Sequence, residues 1–408
     1  MARVGVIGGG VVGLSAAFRL ARAGHAVTLF EPDPLRRAAS WGNAGHIATE
    51  QVAPLASPET LRSAIRRHVW FGGALDLPLS QIAAWTPFAS AFVAASGPAR
   101  FQRGQSALKS LLAPALSDWM QLAADLGRPD LVNDQGHLVV WESPATTRKG
   151  LAGWRAADIG RTTAAPTDAS QVQALTARPL HGAIRFSGSG QVTDLAGLAD
   201  ALEAGLLQTG GRIARQAARL DLHDGRAVIA GHDADLVLVA AGVGSGDLMR
   251  PFGHRVPIIA ERGYHIRAEA SGWPADLPPV VFEDRSMIVT RYADCVQAAS
   301  FVEFGRPNAS PDPRKWERLE RHVRDLGLPI YGPFRRWMGA RPTLPDYLPA
   351  IGRSERASNL LYAFGHQHLG LTLAAVTARI VTALAGQAPS PVDVTPFSLS
   401  RFDRSPRP

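Results

Sequence analysis

Residues 3–31 narrow the possible folds more than any other stretch of this chain. A short apolar run (residues 4–7) leads into a glycine turn, and helical spacing follows over residues 14–22. Gly24 closes that helix and a second apolar run (residues 26–30) ends at Glu31. Within the turn, Gly8, Gly10 and Gly13 have the G-x-G-x-x-G spacing. The first permits a tight turn, the second lets backbone approach a pyrophosphate, and the third lets helix and strand pack closely. Phosphates then meet the free N–H groups and the positive end of the helix. Glu31 stands where a carboxylate accepts hydrogen bonds from a ribose. Strand, turn, helix, strand and acid together predict a dinucleotide site, and they leave FAD and NAD both open.

The rest of the composition is that of an ordinary globular protein: 408 residues, 46% hydrophobic and 19% charged, enough for two domains or a little more. The formal charge of +8 comes almost entirely from arginine, since Lys109, Lys149 and Lys315 are the only lysines. Basic clusters are short (residues 66–68 and 335–336) and read as solvated faces, so no stable nucleic-acid partner is expected. A positive field favours anionic substrates and cofactors, or a loose hold on an acidic membrane surface. The single cysteine, Cys295, excludes a disulfide framework and a Cys-rich metal site, and reads as a small buried residue. No signal peptide is visible, and the apolar stretch 369–386, which carries Arg379, reads as a buried helix rather than a membrane span. A cytoplasmic protein is expected, with peripheral contact to the inner face of the membrane left open.

Residues 60–127 read as mostly helical, broken at Pro78, Pro87 and Pro98. Residues 136–142 read as a strand, 195–207 as a helix, and 212–242 as strand-like pieces. Several strands over residues 256–305 suggest an antiparallel sheet, followed by a helix over 312–326. A last strand (residues 359–364) runs through a glycine turn into a long helix beginning near Gly370. Nucleotide-binding elements therefore recur at both chain ends and near the middle. The expected fold is α/β: a Rossmann-like part (1–75, 190–255 and 335–400) interleaved with an α+β, antiparallel-sheet substrate part (76–189 and 256–334), and a 401–408 tail.

Four further segments separate the cofactors. The order GxGxxG, SWGNAG (40–45), DLVLVAAG (235–242), GARPTLPDYLPAIG (339–352) and GHQHLGLT (365–372) resembles the D-amino-acid oxidase superfamily of FAD-dependent oxidoreductases. The resemblance spans nearly the whole chain and is closest to bacterial D-amino-acid dehydrogenases and glycine-oxidase-like enzymes. ERGYH (261–265) and FGHQHLGLT lean towards a branch acting on hydroxy-D-proline-type imino acids. The resemblance implies that Ser40, Asn43, Ala44 and Gly45 wrap the FAD diphosphate and ribityl side. It implies that Ala241 and Gly242 lie beneath the adenosine half and that main chain near Arg219 meets the adenine. Leu369, Gly370, Leu371 and Thr372 would open a helix whose positive end faces the flavin pyrimidine ring, where reduced flavin carries negative charge. Relatives that bind flavin covalently do so through a cysteine or a histidine. The matching positions here are Gly339 and Gly42, which implies non-covalent FAD.

For substrate, the resemblance points to Arg341, whose planar donors match a carboxylate bidentately; the alternative is an Arg341 that pairs with Asp346. Tyr264 either closes the pocket, bonds the carboxylate, or packs in the core. His368 is expected beside flavin and carboxylate and His366 as structural; read as an H-x-H pair they lack a third ligand, so no metal is expected. No Ser-His-Asp or paired-carboxylate signature stands out. The expected reaction is oxidation of a small D-amino or cyclic imino acid: hydride leaves Cα for the flavin, an imine remains, and electrons pass to a quinone or carrier. The alternatives are an oxygen-using oxidase of glycine, sarcosine or D-amino-acid type that forms hydrogen peroxide, and an RNA-associated flavoprotein. A purely binding role leaves Arg341 unexplained.

Overall fold

The computed structural model describes residues 1–270 and 272–403. The N-terminal unit forms β1 (Arg3–Ile7), α1 (Val11–Arg22) and β2 (Ala26–Phe30). Gly8 has φ +113°, and a Cβ on it would overlap the Ala240 backbone; one on Gly13 would overlap the Gly8 carbonyl. Only glycine satisfies both positions, so the turn packs as the spacing requires.

β1 and β2 sit in a six-stranded sheet ordered Arg212–Ala214, β2, β1, Leu236–Val239, Leu360–Phe364, Ala350–Arg353. All pairings are parallel except the last. Both faces are covered, which is why these strands read as unbroken apolar runs. Val4, Val6, Leu29 and Leu238 pack with α1 and helix Gly370–Ala385, whereas Ile7, Phe30, Val237 and Val239 form a separate core. Ala16, Ala17, Ala374, Ala375 and Ala378 are fully buried where the two helices meet, and their small side chains let the backbones approach closely. Helix Gly370–Ala385 is therefore an internal element, as its sequence suggested.

A second sheet runs Arg335–Thr343, Ile259–Glu269, Cys295–Gly305, Met287–Arg291, Val280–Phe282, His137–Trp141, Gly182–Ser187, Thr163–Thr167, with Leu75–Asp76 beside Cys295–Gly305. It is antiparallel except where Val280–Phe282 meets His137–Trp141 and where Leu75–Asp76 pairs. Helix Pro313–Leu326 covers one face through Leu319, Val323 and Leu326, which pack on Tyr264, Ile266 and Ala298. The other face looks back towards the first sheet and carries the site.

Three details differ from the sequence reading. Arg335–Thr343, expected in the Rossmann-like part, is the edge strand of the second sheet, because its backbone pairs along the length of Ile259–Glu269. Pro87 does not break its helix, which runs on from Ile82 to Ala95, while Pro98 opens the next one at its first turn, where its missing N–H costs nothing. Within the expected 401–408 tail, Arg401 is pinned by Asp346 at 2.7 Å and by the Leu348 carbonyl at 2.9 Å. Residues 404–408 lie outside the described part.

Candidate active site between the two sheets

A cavity of about 1730 Å³ runs from the glycine turn to the face of the second sheet. That is more than a drug-sized ligand needs and suits a dinucleotide with a small substrate.

At the turn, Glu31 accepts from Gly9 N (2.6 Å) and Asp33 N (2.8 Å), so its carboxylate is fixed at the cavity wall. Ser40 Oγ accepts from Val11 N at 3.1 Å, capping the start of α1. Ser40, Asn43 and Ala44 line the cavity; Gly45, with φ +74°, lies behind them. The Asn43 carbonyl is held by Tyr292 Oη (2.7 Å) and Gln297 Nε2 (3.0 Å), which ties this loop to the second sheet. Gly8, Gly10, Ala241 and Gly242 line the same wall, and Gly13 packs behind it. Near the expected adenine position Ala217 and Ala218 line the cavity, whereas Arg219 is exposed and its carbonyl accepts from Ala230 N. At the helix end Gly370 and Leu371 reach the cavity. Leu369 and Thr372 are buried behind them, with Thr372 Oγ1 accepting from Ala48 N at 2.9 Å.

Strand alternation decides which side chains of the second sheet face inward. Glu261, Gly263 and His265 pair across the ladder with Arg341, Gly339 and Trp337, and all six line the cavity. Arg341 Nη1 donates to Glu261 Oε1 (3.1 Å) and to the Phe301 carbonyl (3.2 Å). Glu261 is fully buried, and its other oxygen accepts from Thr343 Oγ1 and Tyr347 Oη, both at 3.0 Å. Asp346 is taken by Arg401, so Arg341 pairs with Glu261 rather than Asp346. Phe301 has φ +73° at a bulge opposite Gly263, and this rarely populated conformation turns its carbonyl to the guanidinium. A Cβ on Gly263 would overlap Arg341 Nη2, so a side chain there would displace the guanidinium. The result is an arginine held by one nitrogen, its side chain 26% exposed to the cavity.

Tyr264 is 1% exposed and belongs to the opposite face. Its hydroxyl donates to Glu303 Oε2 (2.9 Å) and accepts from Arg262 Nη2 (3.1 Å) and Asp312 N (3.2 Å). Of its three readings, core packing describes this geometry. His368 lines the cavity with Nε2 2.8 Å from Gln51 Oε1, and burial pushes it down to about 4, so it is neutral near pH 7. His366 is buried against Thr377 Oγ1 at 3.1 Å; the two histidines have different partners.

Trp337 explains the two glycines at the tether positions. Side chains on Gly42 or Gly339 would overlap its indole ring, which stacks on His265 at 4.8 Å and 12°. His265 bonds the Gly42 carbonyl at 3.0 Å, and burial pushes it down to about 3.

Two constellations escaped the sequence reading. One is Glu261 with Thr343 and Tyr347, although ERGYH contained Glu261 and period-two alternation puts it on the Gly263 face. The other is His46, Glu50 and His137, whose ligand atoms lie within 4.8 Å of one another at the cavity wall. Burial pushes Glu50 up to about 8 and His46 down to about 4, and Glu50 Oε2 and His46 Nε2 are buried without partners. His137 comes from a distant strand, so no local spacing could have announced this cluster.

Residues 3–384 match the family described as FAD dependent oxidoreductase, DAO. The D-amino-acid oxidase of Bradyrhizobium diazoefficiens is 29% identical, covering 98% of both chains. A D-amino acid dehydrogenase of Cereibacter sphaeroides is 29% identical over 100% of this chain and 97% of its own length. Among solved structures, glycine oxidase from Geobacillus kaustophilus superposes with TM-score 0.73 at 19% identity, covering 98% of this chain and 100% of that one. At that identity the likeness speaks to the fold.

Proposed function

The chain belongs to the DAO family of FAD-dependent oxidoreductases, and from that premise we propose that it oxidises the carbon–nitrogen bond of a small D-amino or cyclic imino acid. The observation that carries this reading is Arg341: one nitrogen is anchored by Glu261 and Phe301 while the side chain opens on the cavity. A guanidinium held this way suits a substrate carboxylate.

The wall fits FAD. The Gly8–Gly10 turn, Glu31, Ser40, Asn43, Ala44, Ala241 and Gly242 would hold the dinucleotide, with Gly370 and Leu371 at the flavin end. Bound FAD supplies a two-electron acceptor. Trp337 fills the space that a tethering side chain would need, which supports non-covalent binding. The protein's own contribution is binding and orientation. Arg341 takes the carboxylate, Tyr347 and Thr343 hold Glu261 aimed at Arg341, and neutral His368 offers a hydrogen bond without adding charge. Positioning of this kind supplies most of the rate where little proton transfer is required. A linear imine would hydrolyse to a 2-oxo acid and ammonia; a cyclic substrate would yield a ring imine.

Electrons would go to a quinone or carrier at the inner face of the membrane, as resemblance to the dehydrogenases suggests. The similar D-amino-acid oxidase favours a second reading, with oxygen as acceptor. Turnover of linear D-amino acids should give 2-oxo acid and ammonia in equal amounts, faster with a quinone analogue than with air. Stoichiometric peroxide at the full rate would move the protein to the oxygen-using class, and absence of 2-oxo acid with either acceptor would overturn the reading.

A further inference from the structure

We infer that residues 58–93 form a docking surface for an anionic lipid bilayer, set around the mouth of the cavity. The inference rests on the membrane-side acceptor just proposed and gives it a location. Half of the fourteen exposed large hydrophobic residues among the described residues lie within residues 61–93, including Ile65 (72% exposed), Trp70 (76%), Phe71 (67%) and Leu79 (69%). Scattered apolar residues are normal on a surface; a concentration like this marks an interaction site.

Helix Pro58–Arg67 shows what kind. It has no buried residue, yet Leu61 and Ile65 stand one turn apart on one side. Arg62, Arg66 and Arg67 share the helix with one acid, Glu59, and among the described residues none of the three arginines forms an ion pair. An apolar stripe with a free basic flank and adjacent aromatics is the composition of a helix lying in a lipid headgroup layer, where basic residues meet anionic lipids. With 10 residues it is too short to span a bilayer.

The segment beyond the helix is tied to the second sheet and its covering helix. The Gly73 carbonyl accepts from Arg318 at 3.0 Å, and His68 bridges to Leu75, whose strand joins the second sheet. Trp70 and Phe71 are thus presented outward from a fixed base. Leu61, Arg67, Phe71, Trp85 and Phe92 also line the cavity, so the same segment borders the lipid-facing surface and the way in. An apolar acceptor dissolved in the bilayer would meet the cavity without crossing water.

The test uses FAD-loaded protein and sedimentation with vesicles of phosphatidylcholine alone or mixed with phosphatidylglycerol. The protein should partition onto anionic vesicles by an order of magnitude or so more than onto neutral ones, and lose that excess in high salt. The triple variant Ile65→Ser, Trp70→Ser, Leu79→Ser should lose about tenfold in binding while keeping its FAD content and thermal midpoint. Absence of wild-type binding to anionic vesicles, or equal binding by the variant, would overturn the proposal. So would a dimer in light scattering that the same substitutions dissociate, since the patch would then join two copies. Binding needs no turnover: vesicle association without amino-acid oxidation would sink the catalytic reading and leave this surface standing.

Discussion

Arg341 has two duties that pull on one measurement. It is proposed to hold the substrate carboxylate, and it is the only cation on the fully buried Glu261 among the described residues. Removing one partner of a buried pair typically costs about 3–5 kcal/mol, so Arg341→Ala should lower the thermal midpoint as well as activity. Glu261→Gln added to Arg341→Ala should restore stability by removing the stranded charge, but not activity. kcat/KM on the amino acid should fall by roughly two to four orders of magnitude in both variants. Arg341→Lys should recover only part of it, because a point charge lacks the planar fork. A substrate amide, without the negative charge, should lose little more in the variants than in wild type. Wild-type kinetics on the acid in the stable double variant would place the carboxylate elsewhere, with His368 the next candidate. The sequence made Arg341 legible because a motif flanks it. It did not show Glu261 as its anchor, since that contact crosses a strand ladder between residues 80 positions apart.

At the scale of elements, the N-terminal βαβ unit and the buried C-terminal helix could be read directly, because period 3.6, unbroken apolar strands and turn glycines are local signals. Arg335–Thr343, expected in the Rossmann-like part, pairs in the second sheet, because strand pairing is not written in the strand itself and the R-P segment is continuous in sequence with the cofactor motifs that follow it. The bulge at Phe301 was invisible for the same reason. The loop and strand that join His46, Glu50 and His137 make the clearest case, and they carry a pH signature. Glu50 is raised from 4.5 to about 8, so the folded state retains a proton that the unfolded chain releases. Its contribution is fully present below pH 4.5 and is lost as pH rises through 8. His46, lowered to about 4, acts oppositely and costs stability as pH falls from 6.5. Glu50→Gln removes only the first effect. Its unfolding free energy relative to wild type, read from denaturant titrations, should climb between pH 5 and 8 by up to about 1.4 kcal/mol per pH unit, and level off above. A difference that stays flat across this range would show that Glu50 is ionised and paired in solution.

Over the whole molecule, the chain visits the first sheet at residues 3–30, 212–239 and 350–364 and spends the intervals building the second. Interleaving places the cavity between the two sheets, where the Asn43 loop is bound to Tyr292 and Gln297 of the second. Cofactor and substrate residues thus come from opposite walls of one cavity, the glycine turn on one side and Arg341 on the other. On the proposed function, this cavity joins FAD to a small D-amino or cyclic D-imino acid held by its carboxylate. Anaerobic mixing of the yellow protein with a panel of D- and L-amino acids, followed by flavin absorbance, tests it most directly. Small D-amino or cyclic D-imino acids should bleach the flavin in a single turnover, with L-enantiomers at least about a hundredfold slower, a discrimination of roughly 2.7 kcal/mol. Flavin that stays oxidised with every amino acid while chemical reductants bleach it, or that prefers the L-series, would contradict it.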